Sequence, residues 1–531
     1  MQSVTRSLKR KLSSKNIIKD RLALALKNKD WSAIEELQDL ISKVLDKPNN
    51  LVMMGDAYKY SHHKFYEDNT SKIYSYLESR GGKFNETVFF GLQYFLKEYL
   101  EGVAITQEDL EEAYEYLGTK YGVFGREDVF DKSKFQYIID TYGGRLPISI
   151  KAVPEGSVVG VKNVLLTIEN TDPECYWLTN FLETILLQVW YPITVATLSH
   201  EIKKIVYEYF DKTSDLPSEV VDIVIEFVLN DFGFRGVSSV QSASIGGAAH
   251  LVSFKGSDNT VASQTICDVY NTDTVFGLSV PATEHSIMTM KGEAGEVEMM
   301  KRTLLKYPTG IVACVSDSYN ILRACSQYWG TELRDLVLSR PAEAGNQLVI
   351  RPDSGDVVQT LKAVFEILFD KFGYTTNDKG FKVLPPQVRV IQGDGVNIGS
   401  IVNIYEELFK LGISAENIVF GMGGKLLQGV DRDTMAFATK ACYAIVDGEE
   451  RNIVKSPTEL DANGNYTPSF KKSKQGMLKL VKTNNGYTTI TSKDAGYESA
   501  VDELVEVFKN GEIVVEYDFE EIRARVQSSF K

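Results

Sequence analysis

The sequence predicts an α/β protein, an irregular parallel α/β barrel joined to a mostly antiparallel α+β sheet domain built from both ends of the chain. Three observations carry that reading. Four short apolar runs, Ile311-Val-Ala-Cys-Val315, Leu348-Val-Ile350, Val388-Arg-Val-Ile391 and Ile418-Val-Phe420, each stop at a polar or glycine-rich loop: Ser316-Asp317-Ser318, Arg351-Pro-Asp-Ser-Gly-Asp356, Gln392-Gly-Asp-Gly395 and Gly421-Met-Gly-Gly424. Helix-like segments follow the first three, Tyr319 to Trp329, Val357 to Phe372 and Ile398 to Leu411. Short strands separated by Gly, Pro and Asn turns occupy both flanks. Apolar runs of strand length suit parallel strands buried on both faces, and polar loops at every carboxyl end are the mark of a barrel's active face.

In chain order, the first 29 residues hold nine Lys or Arg and one acid, Asp20, with Leu and Ile at helical spacing from Ile17 to Leu45. No apolar core or small-residue cleavage site marks a secretory signal, so residues 1–50 read as a basic helical extension, with an organellar transit segment as the lesser reading. Lys47-Pro-Asn-Asn50 ends it. Residues 51–190 then mix a strand at Lys72–Leu77, a helix from Val88 to Leu100, strands at Leu146–Val153, Ser157–Gly160 and Val164–Ile168, and a long apolar helix from Trp177 to Val189. The barrel domain is placed at 191–424. Its upstream strands are Glu226–Asp231, Ala249–Phe254 running into Lys255-Gly-Ser-Asp258, and Ser279–His285, which with the four above make seven segment ends. Residues 425–531 return to short strands such as Lys479–Val481 and Tyr487–Ile490 and complete the discontinuous sheet domain.

Bulk composition excludes several function classes. A net charge of -14 opposes a nucleic-acid or anionic-membrane partner, which requires a basic surface. With no run of about 18 wholly apolar residues, nothing is expected to span a membrane. The five cysteines, Cys175, Cys267, Cys314, Cys325 and Cys442, are scattered and without a CxxC pair, as core thiols of a reduced cytoplasmic protein are.

Nine segments then carry a family resemblance: Asp56-Ala-Tyr-Lys59, Asn69-Thr-Ser-Lys72, Val88-Phe-Phe-Gly-Leu-Gln93, Glu169–Asn180, Phe232-Gly-Phe-Arg-Gly-Val-Ser-Ser239, Val280-Pro-Ala-Thr-Glu-His-Ser286, Val315-Ser-Asp-Ser-Tyr319, Ile350-Arg-Pro-Asp-Ser-Gly355 and Ile391-Gln-Gly-Asp-Gly395. In this order they resemble the nicotinamide phosphoribosyltransferases, type II enzymes of NAD salvage. The resemblance implies joining of nicotinamide to 5-phosphoribosyl 1-diphosphate, giving nicotinamide mononucleotide and diphosphate, with Mg²⁺, and with ATP as a co-substrate. A homodimer with shared active sites is implied too. A nicotinate phosphoribosyltransferase is the near alternative; a barrel acting on another phosphosugar, or a non-catalytic binding protein, is more distant, since Asp317, Asp353, Arg351 and His285 are all present.

That reaction develops positive charge on the ribose and negative charge on the leaving diphosphate, so it needs carboxylates near the sugar and cations or Mg²⁺ at the diphosphate. By resemblance Asp353 contacts the ribose and holds the diphosphate-bound Mg²⁺ indirectly, Asp317 is a second catalytic carboxylate, and Gly393 and Asp394 lie beside them. A competing possibility is that Asp353 or Ser354 merely caps the helix starting at Val357. The same resemblance implies that Arg351 lies beside nicotinamide and diphosphate, that Phe232 and Tyr58, the latter from the second subunit, sandwich the nicotinamide ring, and that Asp258 accepts the carboxamide N–H and repels the carboxylate of nicotinic acid. Gly423 and Gly424, with Arg432 eight residues on, match a 5-phosphate loop, although Lys425 stands where the family continues with Gly. Arg235, Lys440, Lys455 and Lys471 match diphosphate and triphosphate contacts. His285 matches the histidine that takes a phosphoryl group from ATP, a role suited to a neutral imidazole. The other histidines are assigned structural roles: His62 and His63 in an exposed turn, His200 in a helix, and His250 entering a strand.

Overall fold

The computed structural model describes residues 24–25, 27–30, 50–460, 464–469, 472–484 and 486–530. The helical extension expected before residue 50 lies almost wholly outside the described residues, and so does Lys471.

Six parallel strands stand in the order Gly256–Ser257, Leu229–Asp231, Ile418–Met422, Val388–Gln392, Gln347–Arg351, Ile311–Val315. Residues 278–283 join the two edges through parallel bridges Gly256 to Leu278 and Ala282 to Ala313, and the sheet closes into an irregular barrel. All seven predicted segment ends therefore lie on this ring. Alternation divides the side chains. Ala313, Val349 and Ile391 form a small cluster with Phe232 and Val419, while their neighbours Cys314, Leu348, Ile350, Val390 and Phe420 join the main core under the helices. The helices start where capping side chains allow. Asp356 caps Val357–Phe372 by accepting the Gln359 N–H at 2.9 Å, and Asn397 and Ser400 form a reciprocal cap on Ile398–Lys410; such caps contribute about 1 kcal/mol each.

The second sheet is antiparallel, in the order Glu449–Asn452, Phe437–Val446, Thr70–Ser79, Val164–Asn170, Ile148–Ala152, Val505–Lys509, Glu512–Ile513. Neighbouring strands thus come from opposite ends of the chain, with Tyr74 paired to Tyr443 and Ala152 to Val505. The C-terminal helix Phe519–Gln527 returns to the barrel, where Arg523 bonds Glu226 at 2.6 Å and the Phe254 carbonyl at 2.8 Å.

Four expected elements differ. Ser279–His285 forms no continuous strand: only single bridges at Leu278 and Ala282 continue the ring, and His285 opens the short helix His285–Met288. Ala249–Phe254 is not a strand: residues Val240–Leu251 form a helix capped by Ser239, so His250 is a fully buried helical residue. Its apolar run packs a helix face, and apolar runs of that length do not separate helix from strand by themselves. Trp177–Val189 is a set of short helical turns, and the long helix is Trp190–Thr213. The helix expected from Val88 begins only at Leu92, since Glu86–Val88 pairs with Val158–Gly160 and Gly91 takes a left-handed turn between them. His62 and His63 are half-buried in the helical turn Ala57–Lys64. The helical stretch Pro173–Thr213 is long and apolar enough to cross a membrane, but 67% of its most apolar window is buried inside the protein, as in a core helix.

Candidate active site

The carboxyl ends of the barrel strands deliver their side chains to one mouth. Phe232 follows Leu229–Asp231 and its backbone N–H bonds the Met422 carbonyl at 3.0 Å. Its ring lies over Gly421, where a Cβ would stand 2.0 Å from Phe232 Cε2. A Cβ on Gly393 would meet Asp353 Oδ1 at 3.5 Å, Arg351 Nε at 3.6 Å and Phe232 Cε2 at 3.7 Å, so three predicted site residues converge on Gly393. Two glycines thus leave the room in which aromatic, cation and carboxylate meet.

Arg351 grips Asp353 with two bonds, Nε to Oδ1 at 3.2 Å and a terminal nitrogen to Oδ2 at 2.7 Å. The Asp353 backbone N–H donates to Asp317 Oδ2 at 3.1 Å, and His285 Nε2 stands 2.8 Å from Asp317 Oδ1. An ionised carboxylate only accepts, so the contact calls for an N–H on His285 Nε2. The His285 side chain is 48% exposed and that of Asp317 only 4%. The Asp317 loop is held from behind: Ser316 N–H bonds the Arg351 carbonyl at 3.0 Å, and the buried Trp329 indole donates to Ser316 Oγ at 3.0 Å. Helix capping falls to Asp356, which leaves Asp353 to the mouth. Asp394 stands exposed on the next loop.

Asp258 follows the Gly256–Ser257 strand with its carboxylate exposed and bonded by the Ser279 hydroxyl. Behind it Asp231 is buried, accepting the Gly233 N–H at 2.7 Å and the Asn259 amide at 3.0 Å. Burial pushes the Asp231 carboxyl up to about 6, the two hydrogen bonds oppose this, and the charge of Asp258 adds to it. Asp231 and Ser279 were not singled out from the sequence; the available signal was Asp231's place as the last strand residue before Phe232. Arg235 is exposed in the turn Phe234–Gly236, which packs on the glycine loop so closely that a Cβ on Gly236 would lie 2.9 Å from Gly424 Cα. Gly423 and Gly424 begin the short helix Gly424–Leu427, on which Lys425 is exposed.

Of the remaining predicted residues, Lys440 stands on the Phe437–Val446 strand of the antiparallel sheet, Tyr58 and Arg432 in the helical turns Ala57–Lys64 and Arg432–Thr434, and Lys455 in a loop. Tyr58 is 61% exposed and borders a cleft of about 410 Å³ with Lys59, His62, Phe65, Asn180 and Lys440. Burial lowers the Lys440 ammonium pKa, Glu183 opposes this, and Arg80, Lys455 and Arg432 lower it further. These four cations therefore form one electrostatic cluster. Arg80, which the sequence reading passed over, opens the Arg80-Gly-Gly82 turn at the end of the Thr70–Ser79 strand. Arg432 is exposed beside Asp433 at 3.4 Å, and the backbone N–H of exposed Lys455 bonds Ser473 at 2.9 Å. Among the described residues no hydrogen bond or ion pair joins this cluster to Arg351, Asp353, Asp317 or His285. One chain thus presents two separate groups: an aromatic, cation and carboxylate group at the barrel mouth, and an aromatic with cations on and beside the antiparallel sheet. Together they suit a flat heterocycle and a polyanion.

Known proteins share this arrangement of sequence. Residues 227–512 match the family described as "Nicotinate phosphoribosyltransferase (NAPRTase) family", and residues 50–150 match "Nicotinamide phosphoribosyltransferase, N-terminal domain". The nicotinamide phosphoribosyltransferase of Xanthomonas campestris pv. campestris is 41% identical over 487 residues, covering 91% of this chain and 99% of that one. That of Acinetobacter baylyi is 32% identical over 501 residues, covering 89% and 96%. Among solved structures, nicotinate-nucleotide pyrophosphorylase from Pyrococcus furiosus superposes with a TM-score of 0.54 at 15% identity, over 92% of this chain and 97% of that one. Human nicotinic acid phosphoribosyltransferase gives 0.52 at 15% identity, over 89% and 93%. These two likenesses concern the fold.

Proposed function

We propose, from the premise that this chain belongs to the nicotinate phosphoribosyltransferase family and is a phosphoribosyltransferase, that its substrates are nicotinamide and 5-phosphoribosyl 1-diphosphate and its products nicotinamide mononucleotide and diphosphate. The observation that carries the reading is the unbroken run of contacts from Arg351 through Asp353 and Asp317 to His285, beside Phe232 at the barrel mouth.

In this reading the nicotinamide ring lies against Phe232, its carboxamide N–H toward Asp258. The ring nitrogen attacks the anomeric carbon as the bond from that carbon to the diphosphate oxygen breaks, and the electron pair leaves with diphosphate. Asp353 faces the charge growing on the ribose, while Arg351 and Arg235 face the leaving group. Gly423, Gly424 and Arg432 receive the 5-phosphate. Asp258 favours the amide, because a carboxylate in its place would meet like charge.

Two separate groups in one chain support a homodimer in which a second copy brings its Tyr58 and the Arg432, Lys440 and Lys455 cluster to the mouth. Asp353, exposed Asp394 and Asp317 are hard oxygen donors without soft ligands, which fits Mg²⁺ held through water and diphosphate rather than in a protein cage. When bound, that ion neutralises the leaving diphosphate.

His285 takes a phosphoryl group from ATP: Nδ1 forms the N–P bond, the β,γ P–O bond breaks, and ADP leaves with its electrons. Asp317, accepting from Nε2–H, fixes the tautomer in which Nδ1 of the neutral ring is the attacking nitrogen and stabilises the positive ring once it is phosphorylated. Because Asp317 also holds the Asp353 backbone, charge on His285 is felt at the ribose site, which supplies a route for ATP to stimulate synthesis. We place the enzyme in the cytoplasm, a reading supported by five cysteines that stand singly.

The test is a product assay with 5-phosphoribosyl 1-diphosphate and Mg²⁺, comparing nicotinamide with nicotinic acid, each with and without ATP. Mononucleotide formed preferentially from nicotinamide and boosted by ATP is the expected result. Reaction of nicotinic acid alone overturns the substrate, and an ATP-independent rate overturns the coupling.

A further inference from the structure

We propose that Glu86, His200 and Glu201 form a binding site for a divalent transition-metal ion, of the class that takes one imidazole and two carboxylates, as Zn²⁺ does. Their ligand atoms all lie within 4.8 Å of one another. Glu86 comes from the Glu86–Val88 strand and the other two from the Trp190–Thr213 helix. None of the three belongs to the barrel mouth or to the cation cluster on the sheet.

The orientation of His200 points to a cation. Its ring is fully buried, packed 4.5 Å from the Phe530 ring, with Nε2 2.8 Å from Ser529 Oγ. That hydroxyl gives its own proton to the Val526 carbonyl at 2.6 Å, so its oxygen accepts from His200 Nε2–H. The other ring nitrogen, Nδ1, has no hydrogen-bond partner among the described residues, yet it is aimed between two carboxylates, 3.7 Å from Glu86 Oε1 and 4.0 Å from Glu201 Oε1. A buried nitrogen without a partner beside two carboxylates is placed to join them around one cation.

Lys204 supplies part of that charge, its ammonium bonding Glu86 and, at 2.9 Å, Glu201. It does not satisfy Nδ1, and its side chain is 40% exposed, free to swing into solvent when a smaller, doubly charged ion enters. Tetrahedral ligands at about 2.1 Å from a metal stand about 3.4 Å apart, so the carboxylates need to move by about an ångström. The Ser529 bond already plays the orienting part that a metal-bound histidine requires on its second nitrogen. A bound ion would pin the Glu86 strand to the long helix and, through Ser529, to the C-terminal turn.

The test uses the full chain after chelator treatment, titrated with Co²⁺ as a visible probe and then with Zn²⁺ as competitor. One equivalent of Co²⁺ giving d–d absorption without a thiolate charge-transfer band, displaced by Zn²⁺, is expected. Glu86→Gln and Glu201→Gln should each weaken binding by about tenfold or more. Lys204→Met should tighten it, because the competing cation is gone, whereas a purely structural ion pair gives no metal binding in that variant. No saturable binding in either the native chain or Lys204→Met overturns the site, and so does binding that neither Gln substitution changes.

Discussion

His285 Nε2 stands 2.8 Å from Asp317 Oδ1, and the other oxygen of the same carboxylate accepts the Asp353 backbone N–H at 3.1 Å. A single buried side chain thus touches both the proposed phosphoryl acceptor and the loop proposed to hold ribose. The two functions are within one residue of each other.

Replacing Asp317 with Ala should damage both. The ATP stimulation is expected to vanish and the ATP-free rate to fall on the order of 100-fold, the scale of losing a preorganised polar contact to the reacting centre. Steady-state rates with and without ATP check this; an intact ATP-free rate removes Asp317 from the ribose site.

His285→Ala, by contrast, should leave slow synthesis in place while the ratio of rates with and without ATP drops to one. Acid-labile phosphate from labelled ATP, trapped on the native chain and missing from the variant, is the accompanying signal. Stimulation that survives the substitution assigns the ATP step elsewhere.

Asp258→Asn removes the charge that opposes a nicotinic acid carboxylate. The preference for nicotinamide, as a ratio of kcat/KM values, should fall about tenfold, corresponding to about 1.4 kcal/mol. If the ratio does not move, base selection lies with other residues.

The two glycines beside Phe232 should respond differently. At Gly421 a Cβ would stand 2.0 Å from the Phe232 ring and must displace it, whereas at Gly393 the neighbours lie at 3.5 Å or beyond, ordinary contact. Gly421→Ala is expected to raise the nicotinamide KM on the order of tenfold, with Gly393→Ala milder in KM. Equal effects would place the ring's slot away from Gly421.

Asp231 gives a stability signature. Burial raises its pKa from 3.8 to about 6 in the folded chain, so between those values the folded protein holds a proton that the unfolded chain has lost. Stability from this group is therefore greatest below the unfolded value and declines as pH rises through the folded one, by on the order of 3 kcal/mol. Denaturant unfolding from pH 4 to 7 should show that decline in the native chain and a flatter difference in Asp231→Asn. A parallel pH profile for the two removes Asp231 as its source.

The sequence alone determined the barrel strands and their polar ends, because a parallel strand buried on both faces has to be a short apolar run and has to stop where its loop turns polar. It also determined that the antiparallel sheet draws on both ends of the chain, and the alternating strand at Lys72–Leu77 and the loop residues Arg351, Asp353, Asp317 and His285 were legible there. It did not separate helix from strand at Ala249–Phe254, since an apolar stretch reads the same on a helix face and on a buried strand, and it misplaced the long helix by a dozen residues. Only the tertiary structure decided which of the polar residues meet. Asp356 rather than Asp353 caps the helix; Asp231 and Arg80, unremarkable in sequence, stand beside Asp258 and Lys440; Tyr58 and the cations lie apart from the barrel mouth; and Nδ1 of His200 faces two carboxylates from separate elements. The physical reason is common to all of them. Strand and helix periods act over a few residues, whereas the contact of residue 285 with 317, or the approach of residue 86 to 200, is set by how the sheet closes and the helices pack, which no local spacing encodes.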